Sequence, residues 1–198
     1  RPWPFTLLLP ARLTDWKGHH VAIEAFRLIA TERRSGAPGD LRLIFAGDAQ
    51  GREGFAASLL RGVKDLGLDR MIRFVGHCDD MPAAYAAADI VLSPSTRPEA
   101  FGRVAAEAGA MARVAIAADH GGACETIING ETGFLVTPGS AQALASAIRR
   151  TIEMGADARR AMGERARSRI AASCSTAAMT AATLSAYQSL FDSRLRAS

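Results

Sequence analysis

Cysteine is scarce. Cys78, Cys124 and Cys174 are the three present, odd in number and far apart. They form neither a CxxC nor an even framework, which excludes a disulfide scaffold and predicts reduced thiols in a cytoplasmic compartment. No apolar run approaches the ~20 residues that span a bilayer. The opening Arg1-Pro2-Trp3-Pro4 lacks the apolar core of a signal peptide and reads as a linker cut mid-chain, so a longer parent protein is expected. Aromatic residues make up 6% and the net charge is only +4. No RNP-like aromatic pattern, zinc spacing or basic stripe runs through residues 1–140, so nucleic acid is not an expected partner. Gly47-Asp48-Ala49-Gln50-Gly51 fails the G-x-G-x-x-G spacing, which lowers a nicotinamide reading. Internal repeats are absent, as are low-complexity tracts apart from alanine richness.

What is present is an ordinary globular balance, with 48% hydrophobic and 22% charged residues in 198. Six short apolar runs alternate with helical patterns: Phe5–Leu9, Leu41–Ala46, Met71–Val75, Ile90–Leu92, Val114–Ala117 and Phe134–Val136. Helices are expected at about Gly18–Thr31, Glu53–Leu66, Met81–Ala87, Phe101–Met111 and Ala141–Glu153, with a brief one after Gly122. Arg33–Asp40 reads as a turn-rich break. Strands that are apolar throughout and joined by helices predict an α/β, Rossmann-like three-layer α/β/α domain with a six-stranded parallel sheet. This domain is assigned to residues 1–154. Residues 155–198 carry no strand and read as a helical extension packing on it, with helices at Ala158–Ala172 and Thr176–Leu195. The first is rich in arginine (Arg159, Arg160, Arg165, Arg167 and Arg169), which reads as a solvated face, with peripheral membrane contact as the lesser alternative.

The chain is organised around Ser93–Ala110, S-P-S-T-R-P-E-A-F-G-R-V-A-A-E-A-G-A. It reads as a strand end, a polar loop and a helix opening at about Phe101. Glu99 and Glu107 bracket it, and eight helical steps would set them on the order of 12 Å apart along the axis. Between them lie Gly102 and the free N–H groups of a first helical turn, which form an anion site. Two acids with an anion cradle between them suit a ligand with hydroxyls at both ends and phosphate in the middle, the layout of a nucleotide diphosphate sugar. A plain surface pair of Arg103 with Glu107 is the alternative reading.

Ligands of doubly wound sheets bind at the carboxyl ends of the strands. Arg12, Asp48, His77, Ser93–Glu99 and His120 all follow strands. Arg12 and Lys17 lie before the first helix, where its dipole disfavours cations unless an anion is present; a diphosphate would supply one. Two solvated surface cations are the alternative. Gly121-Gly122 can expose N–H groups to an anion or simply turn the chain. His19-His20 and His77-Cys78-Asp79-Asp80 invite a metal reading, but no further ligands stand at sensible spacing, so no metal is expected.

The motifs A-R-L-x-x-W-K-G, L-I-F-A-G-D, I-R-F-V-G-H, A-A-A-D-I-V-L-S-P-S, E-A-F-G-x-x-x-x-E, D-H-G-G-x-x-E-T-I and G-x-T-G-F-L-V occur in that order over Leu7–Ile152. Together they resemble the C-terminal, donor-binding domain of the group 1 (family 4) retaining glycosyltransferases of the GT-B fold. The resemblance implies that Glu99, first of the E-x7-E pair, faces the transferred sugar and that Glu107 holds the ribose. It implies Arg12 and Lys17 on the diphosphate, Phe101 and Gly102 near phosphate and sugar, and the Gly76-His77 turn at the base. A nucleotide-sugar donor is the implied co-substrate, without cofactor or metal. The implied acceptor is a glycan or lipid-linked molecule, bound through an N-terminal domain absent here, in cell-envelope polysaccharide or lipopolysaccharide assembly. The closing helix resembles the segment that crosses back to that domain. Two departures stand out: Ala11 where the family usually has glycine, and Ala110-Met111-Ala112-Arg113-Val114 in place of A-M-G-x-P-V. A sugar-nucleotide epimerase of related architecture and a non-catalytic nucleotide-binding module are the alternatives.

Overall fold

The structure, a computed structural model, describes residues 4–33 and 41–196. Most of the expected break at Arg33–Asp40 falls outside them. The elements run β1 (Phe5–Pro10), a 3-10 turn (Asp15–Lys17), α1 (His19–Arg33), β2 (Leu41–Ala46), α2 (Glu53–Asp65), β3 (Ile72–Gly76), α3 (Met81–Ala87) and β4 (Ile90–Ser93). Then follow α4 (Arg103–Ala110), β5 (Val114–Ala118), α5 (Ala123–Thr126), β6 (Gly133–Val136), α6 (Ala141–Glu153), α7 (Gly155–Ser173) and α8 (Thr176–Arg196).

The six strands form one sheet in the order β3-β2-β1-β4-β5-β6. Every neighbouring pair is parallel. β1 and β4 are neighbours, with Leu7 beside Ile90 and Leu8 beside Val91. The connections reverse direction there, so the loops after β1 and β4 diverge and open a crevice at the carboxyl ends.

Strand side chains alternate between the two faces. Leu7, Leu9, Leu43, Phe45, Ile90, Leu92 and Ile116 share one core with Phe26 and Ile29 of α1, Leu59 of α2 and Ile148 of α6. Leu8, Val91, Ala115 and Ala117 face the other core, with Tyr85 of α3 and Ala105 and Ala108 of α4. The second core is built mostly of small residues, which lets α4 lie close to the sheet. Tyr85 is its one large side chain with a polar tip. Outside this layer α7 packs on α4 and buries Met162, Ala166 and Ile170.

Of the five arginines of α7, Arg160 and Arg167 are exposed as expected, whereas Arg159, Arg165 and Arg169 bind backbone carbonyls. Arg159 donates to the carbonyls of Thr151 and Ile152 at 3.2 and 3.1 Å, at the end of α6. Arg165 donates to the Glu131 carbonyl at 2.9 Å. Arg169 donates to the carbonyls of Thr126 and Glu125 at 3.2 and 2.7 Å, at the end of α5. Carbonyls at helix ends have no intrahelical donor, and guanidinium groups supply one. Among the described residues no helix is long and apolar enough to cross a membrane. α8 leaves Met179, Leu184, Tyr187, Leu190 and Phe191 exposed.

The two departures from the family pattern fare differently. Ala11 keeps a negative φ, whereas Ala112 takes a left-handed φ of 53°. After α4 the Arg113 N–H donates to the Ala108 carbonyl and the Ala112 N–H to the Gly109 carbonyl, both at 2.8 Å. This is a complete Schellman cap with alanine in the position that favours glycine.

Candidate functional site

The loops after β1, β2, β3 and β4 meet at one rim of the sheet. The Leu13 N–H donates to the Asp48 carbonyl at 2.9 Å, Gly47 N–H to the Gly76 carbonyl at 2.7 Å, and Thr96 N–H to the Trp16 carbonyl at 2.7 Å. Together they frame a cleft of about 550 Å³, lined by Arg12, Lys17, Asp48, His77, Phe101 and Gly102, with Glu99 and Glu107 at its sides.

Lys17 and Glu99 meet across the crevice. The Lys17 Nζ lies 2.7 Å from Glu99 Oε2, and the two side chains are only 14% and 18% exposed. The ammonium also lies 4.3 Å from the centre of the Trp16 ring. The other carboxylate oxygen of Glu99 accepts from the Ser95 hydroxyl, and the Ser95 carbonyl bonds the His120 ring at 2.8 Å. Such proximity needs two loops in close contact. Gly18 provides it: its φ is +77°, and a Cβ there would lie 2.0 Å from the Pro94 carbonyl oxygen. Arg12 stands at the exposed mouth, its Nη1 donating to Gln50 Oε1 at 3.4 Å.

The site helix opens at Arg103 rather than at Phe101, because Gly102 adopts a left-handed backbone with φ 72° as its N-cap. Glu99 is therefore outside the helix, and helical rise no longer sets its separation from Glu107. The Ala105 N–H donates back to the Gly102 carbonyl at 3.0 Å. The N–H groups of Arg103 and Val104 have no intrahelical acceptor and stand at the positive end of α4, beside the cleft.

Glu107 lies one turn deeper. Its Oε1 accepts from Arg103 Nη2 at 2.9 Å and Nε at 3.2 Å, so the pair with Arg103 weighed as the alternative reading does form. Its Oε2 accepts from the Tyr85 hydroxyl at 2.7 Å. The tyrosine pKa is raised well above its usual 10, by burial first and then by this hydrogen bond and the carboxylate charge. The hydroxyl therefore stays a donor.

Arg12, Lys17, Glu99, Phe101, Gly102, His77 and Glu107 thus share one cleft. Gly76, Gly121 and Gly122 do not line it. Gly76 ends β3 and gives its carbonyl to Gly47. Gly122 N–H donates to the Glu99 carbonyl at 2.8 Å, so that group is already occupied. The Gly121-Gly122 turn packs against the backbone of Glu99–Phe101, where a Cβ on Gly122 would come within 2.3 Å of the Phe101 carbonyl carbon. Its contribution is to seat the loop that carries Glu99. His19 is fully buried against the Phe45 and Phe55 rings, at 5.2 and 6.3 Å. Burial pushes its pKa from 6.5 down to about 4, against the pull of the Thr14 and Ala11 backbone. Among the described residues no three of His, Cys, Asp and Glu gather as metal ligands.

Sequence reasoning missed Tyr85 and Gln50, and it named Ser95 only as part of the Ser93–Glu99 loop. For Tyr85 a signal existed: a tyrosine on the inner face of a short alanine-rich helix brings a hydroxyl that must find a partner.

A doubly wound parallel sheet, with a cleft at its switch point lined by Arg12, Lys17 and Arg103 together with Asp48, Glu99 and Glu107, defines a Rossmann-like domain with a charged ligand cleft at the carboxyl ends of its strands. The chain belongs to the glycosyl transferases group 1 family, whose model matches residues 3–169. It is 35% identical over 161 residues to a D-inositol 3-phosphate glycosyltransferase of Corynebacterium aurimucosum, covering 78% of this chain and 36% of the relative. It is 30% identical over 152 residues to a lipopolysaccharide 1,2-N-acetylglucosaminetransferase of Salmonella typhimurium, covering 74% and 39%. HepE of Anabaena, solved in complex with UDP and glucose, superposes with a TM-score of 0.82 at 32% identity, over 92% of this chain and 48% of HepE. The chain thus spans between about a third and a half of the length of these relatives.

Proposed function

We propose that this chain is the donor-binding half of a retaining, metal-independent hexosyltransferase. The observation that carries the reading is one cleft lined by Arg12, Lys17, the open end of α4, Glu99 and Glu107. A nucleotide diphosphate sugar fits it with the diphosphate on the cations, the ribose at Glu107, the base near His77 and the sugar at Glu99. The complex of HepE with UDP and glucose supports a ligand of this class.

The chemistry follows from where charge develops. As the bond between the anomeric carbon and the phosphate oxygen breaks, negative charge grows on the diphosphate. Arg12, Lys17 and the N–H groups of α4 are preorganised to stabilise it. Glu99 orients the sugar hydroxyls and favours positive charge at the anomeric carbon. The departing phosphate oxygen takes the proton of the acceptor hydroxyl, which adds from the same face, so configuration is retained without a protein nucleophile. The Lys17 ammonium pairs with the Glu99 carboxylate. Donor binding transfers the ammonium to phosphate and frees the carboxylate for the sugar.

The acceptor, a glycan or a lipid-linked sugar, is engaged by an N-terminal domain beyond this chain. The Salmonella relative, whose name assigns it lipopolysaccharide, supports a role in cell-envelope assembly. Isothermal titration with UDP-, GDP- and ADP-sugars tests the reading. One of the three should bind, and Arg12→Ala should weaken it by about tenfold, the loss of one charge-assisted contact. No binding by any of them, or binding indifferent to Arg12→Ala, overturns it.

A further inference from the structure

We propose that Tyr85 is a positioning residue for Glu107, fixing the carboxylate so that it reads the ribose hydroxyls of the donor. The inference rests on the donor-binding reading and adds a residue to it. Tyr85 is 2% exposed, yet it reaches the lining of the cleft. It sits on α3, whose start is fixed by the Asp80 side chain accepting from the Ala83 N–H at 2.9 Å. Its ring is packed in the core beneath α4, so the hydroxyl has little freedom. From that anchored position it donates 2.7 Å to Glu107 Oε2.

The second holder of Glu107 is of a different kind. Arg103 forks onto Oε1 at 2.9 and 3.2 Å, but its side chain is 82% exposed. An exposed guanidinium on a flexible stem is a weak constraint. A buried phenol on a rigid ring is a strong one, because two side-chain torsions already locked by packing define the donor position. A carboxylate offers about four lone-pair sites. Tyr85 takes one on Oε2 and the exposed Arg103 fork fills Oε1, which leaves one Oε2 site beside the fixed phenol and makes Oε1 available where a ligand displaces Arg103. A vicinal diol, the 2′- and 3′-hydroxyls of a ribose, matches such an acceptor. Because the phenol does not ionise in the ordinary pH range, the donor direction never reverses.

The test is a titration of Tyr85→Phe, a change that keeps the ring and removes the oxygen. Calorimetry is run with whichever of UDP, GDP and ADP binds tightest, with its 2′,3′-dideoxy counterpart, and with pyrophosphate. Expected is a loss of about tenfold for the ribonucleotide, the scale of one hydrogen bond to a charged group. Binding of the dideoxy nucleotide and of pyrophosphate should be unchanged. In a Glu107→Gln background the same Tyr85→Phe change should add no further loss. An equal loss for the ribose and dideoxy ligands would mean that Tyr85 merely supports the fold, and would overturn the proposal. So would an unchanged affinity for the ribonucleotide. If the unmodified chain binds none of the three nucleotides, the donor-binding reading itself fails; if it binds one and only the Tyr85 pattern is wrong, that reading stands.

Discussion

Replacing Lys17 by methionine probes the contact between the loops after β1 and β4. The variant keeps the length of the side chain and removes its charge, leaving the Glu99 carboxylate 18% exposed with the Ser95 hydroxyl as its remaining side-chain donor among the described residues. Removing one partner from a fully buried pair costs ~3–5 kcal/mol. Exposed pairs contribute ~0.2–1 kcal/mol. This pair retains some water, so a loss of ~2 kcal/mol is expected, reading as a fall of ~4–8 °C in the thermal midpoint for a chain of this size. Glu99→Gln should cost less, ~1 kcal/mol, because the ammonium keeps its place over the Trp16 ring. The double variant should recover part of the sum, with a coupling of ~1–2 kcal/mol. Thermal and urea unfolding of all four proteins at pH 7 gives the cycle. A Lys17→Met midpoint within about one degree of the parent, or strict additivity in the double variant, would refute the argument that this pair joins the two loops.

Two further outcomes follow from backbone strain and from burial. Ala112→Gly should raise stability by ~0.5–1 kcal/mol, since relief of the left-handed alanine (~1–2 kcal/mol) exceeds the added freedom of the unfolded chain (~0.4–1 kcal/mol); a lower urea midpoint would contradict the Schellman geometry. His19, held neutral with its pKa lowered from 6.5 to about 4, binds its proton more readily in the unfolded chain. Stability should therefore be intact above pH 6.5 and be lost as pH falls toward 4, by up to ~3 kcal/mol. Urea midpoints from pH 7 to 4.5 measure this slope, and His19→Phe should flatten it; a slope that survives the substitution places its source elsewhere.

The sheet was legible because each strand announces itself locally. Runs such as Phe5–Leu9 and Leu41–Ala46 are apolar on both faces, and helix-length connections leave parallel pairing as the economical solution. Arg12, Glu99 and Glu107 could be gathered on one rim for the same reason, since a parallel sheet puts every strand end on the same side. Boundaries were less legible. Gly102 looked like the first turn of a helix, and only its left-handed backbone moves the start to Arg103. Gly121-Gly122 looked like an anion turn, and its packing on Glu99–Phe101 is a close approach that a string of residues does not reveal. Arg165 and Arg169 of α7 looked merely solvated because the carbonyls they bind lie 34 to 44 positions away in the chain.

The sequence by itself determined the layers, the strand-end placement of the polar residues and the family, because these rest on periodicity and on short motifs that act within a few residues. Tertiary structure alone decided the partners: Lys17 with Glu99, Tyr85 with Glu107, His19 between two phenylalanines. Those contacts join separate elements at distances of a few ångströms. A directional interaction of that range depends on where the packed helices set each side chain, which local pattern does not specify.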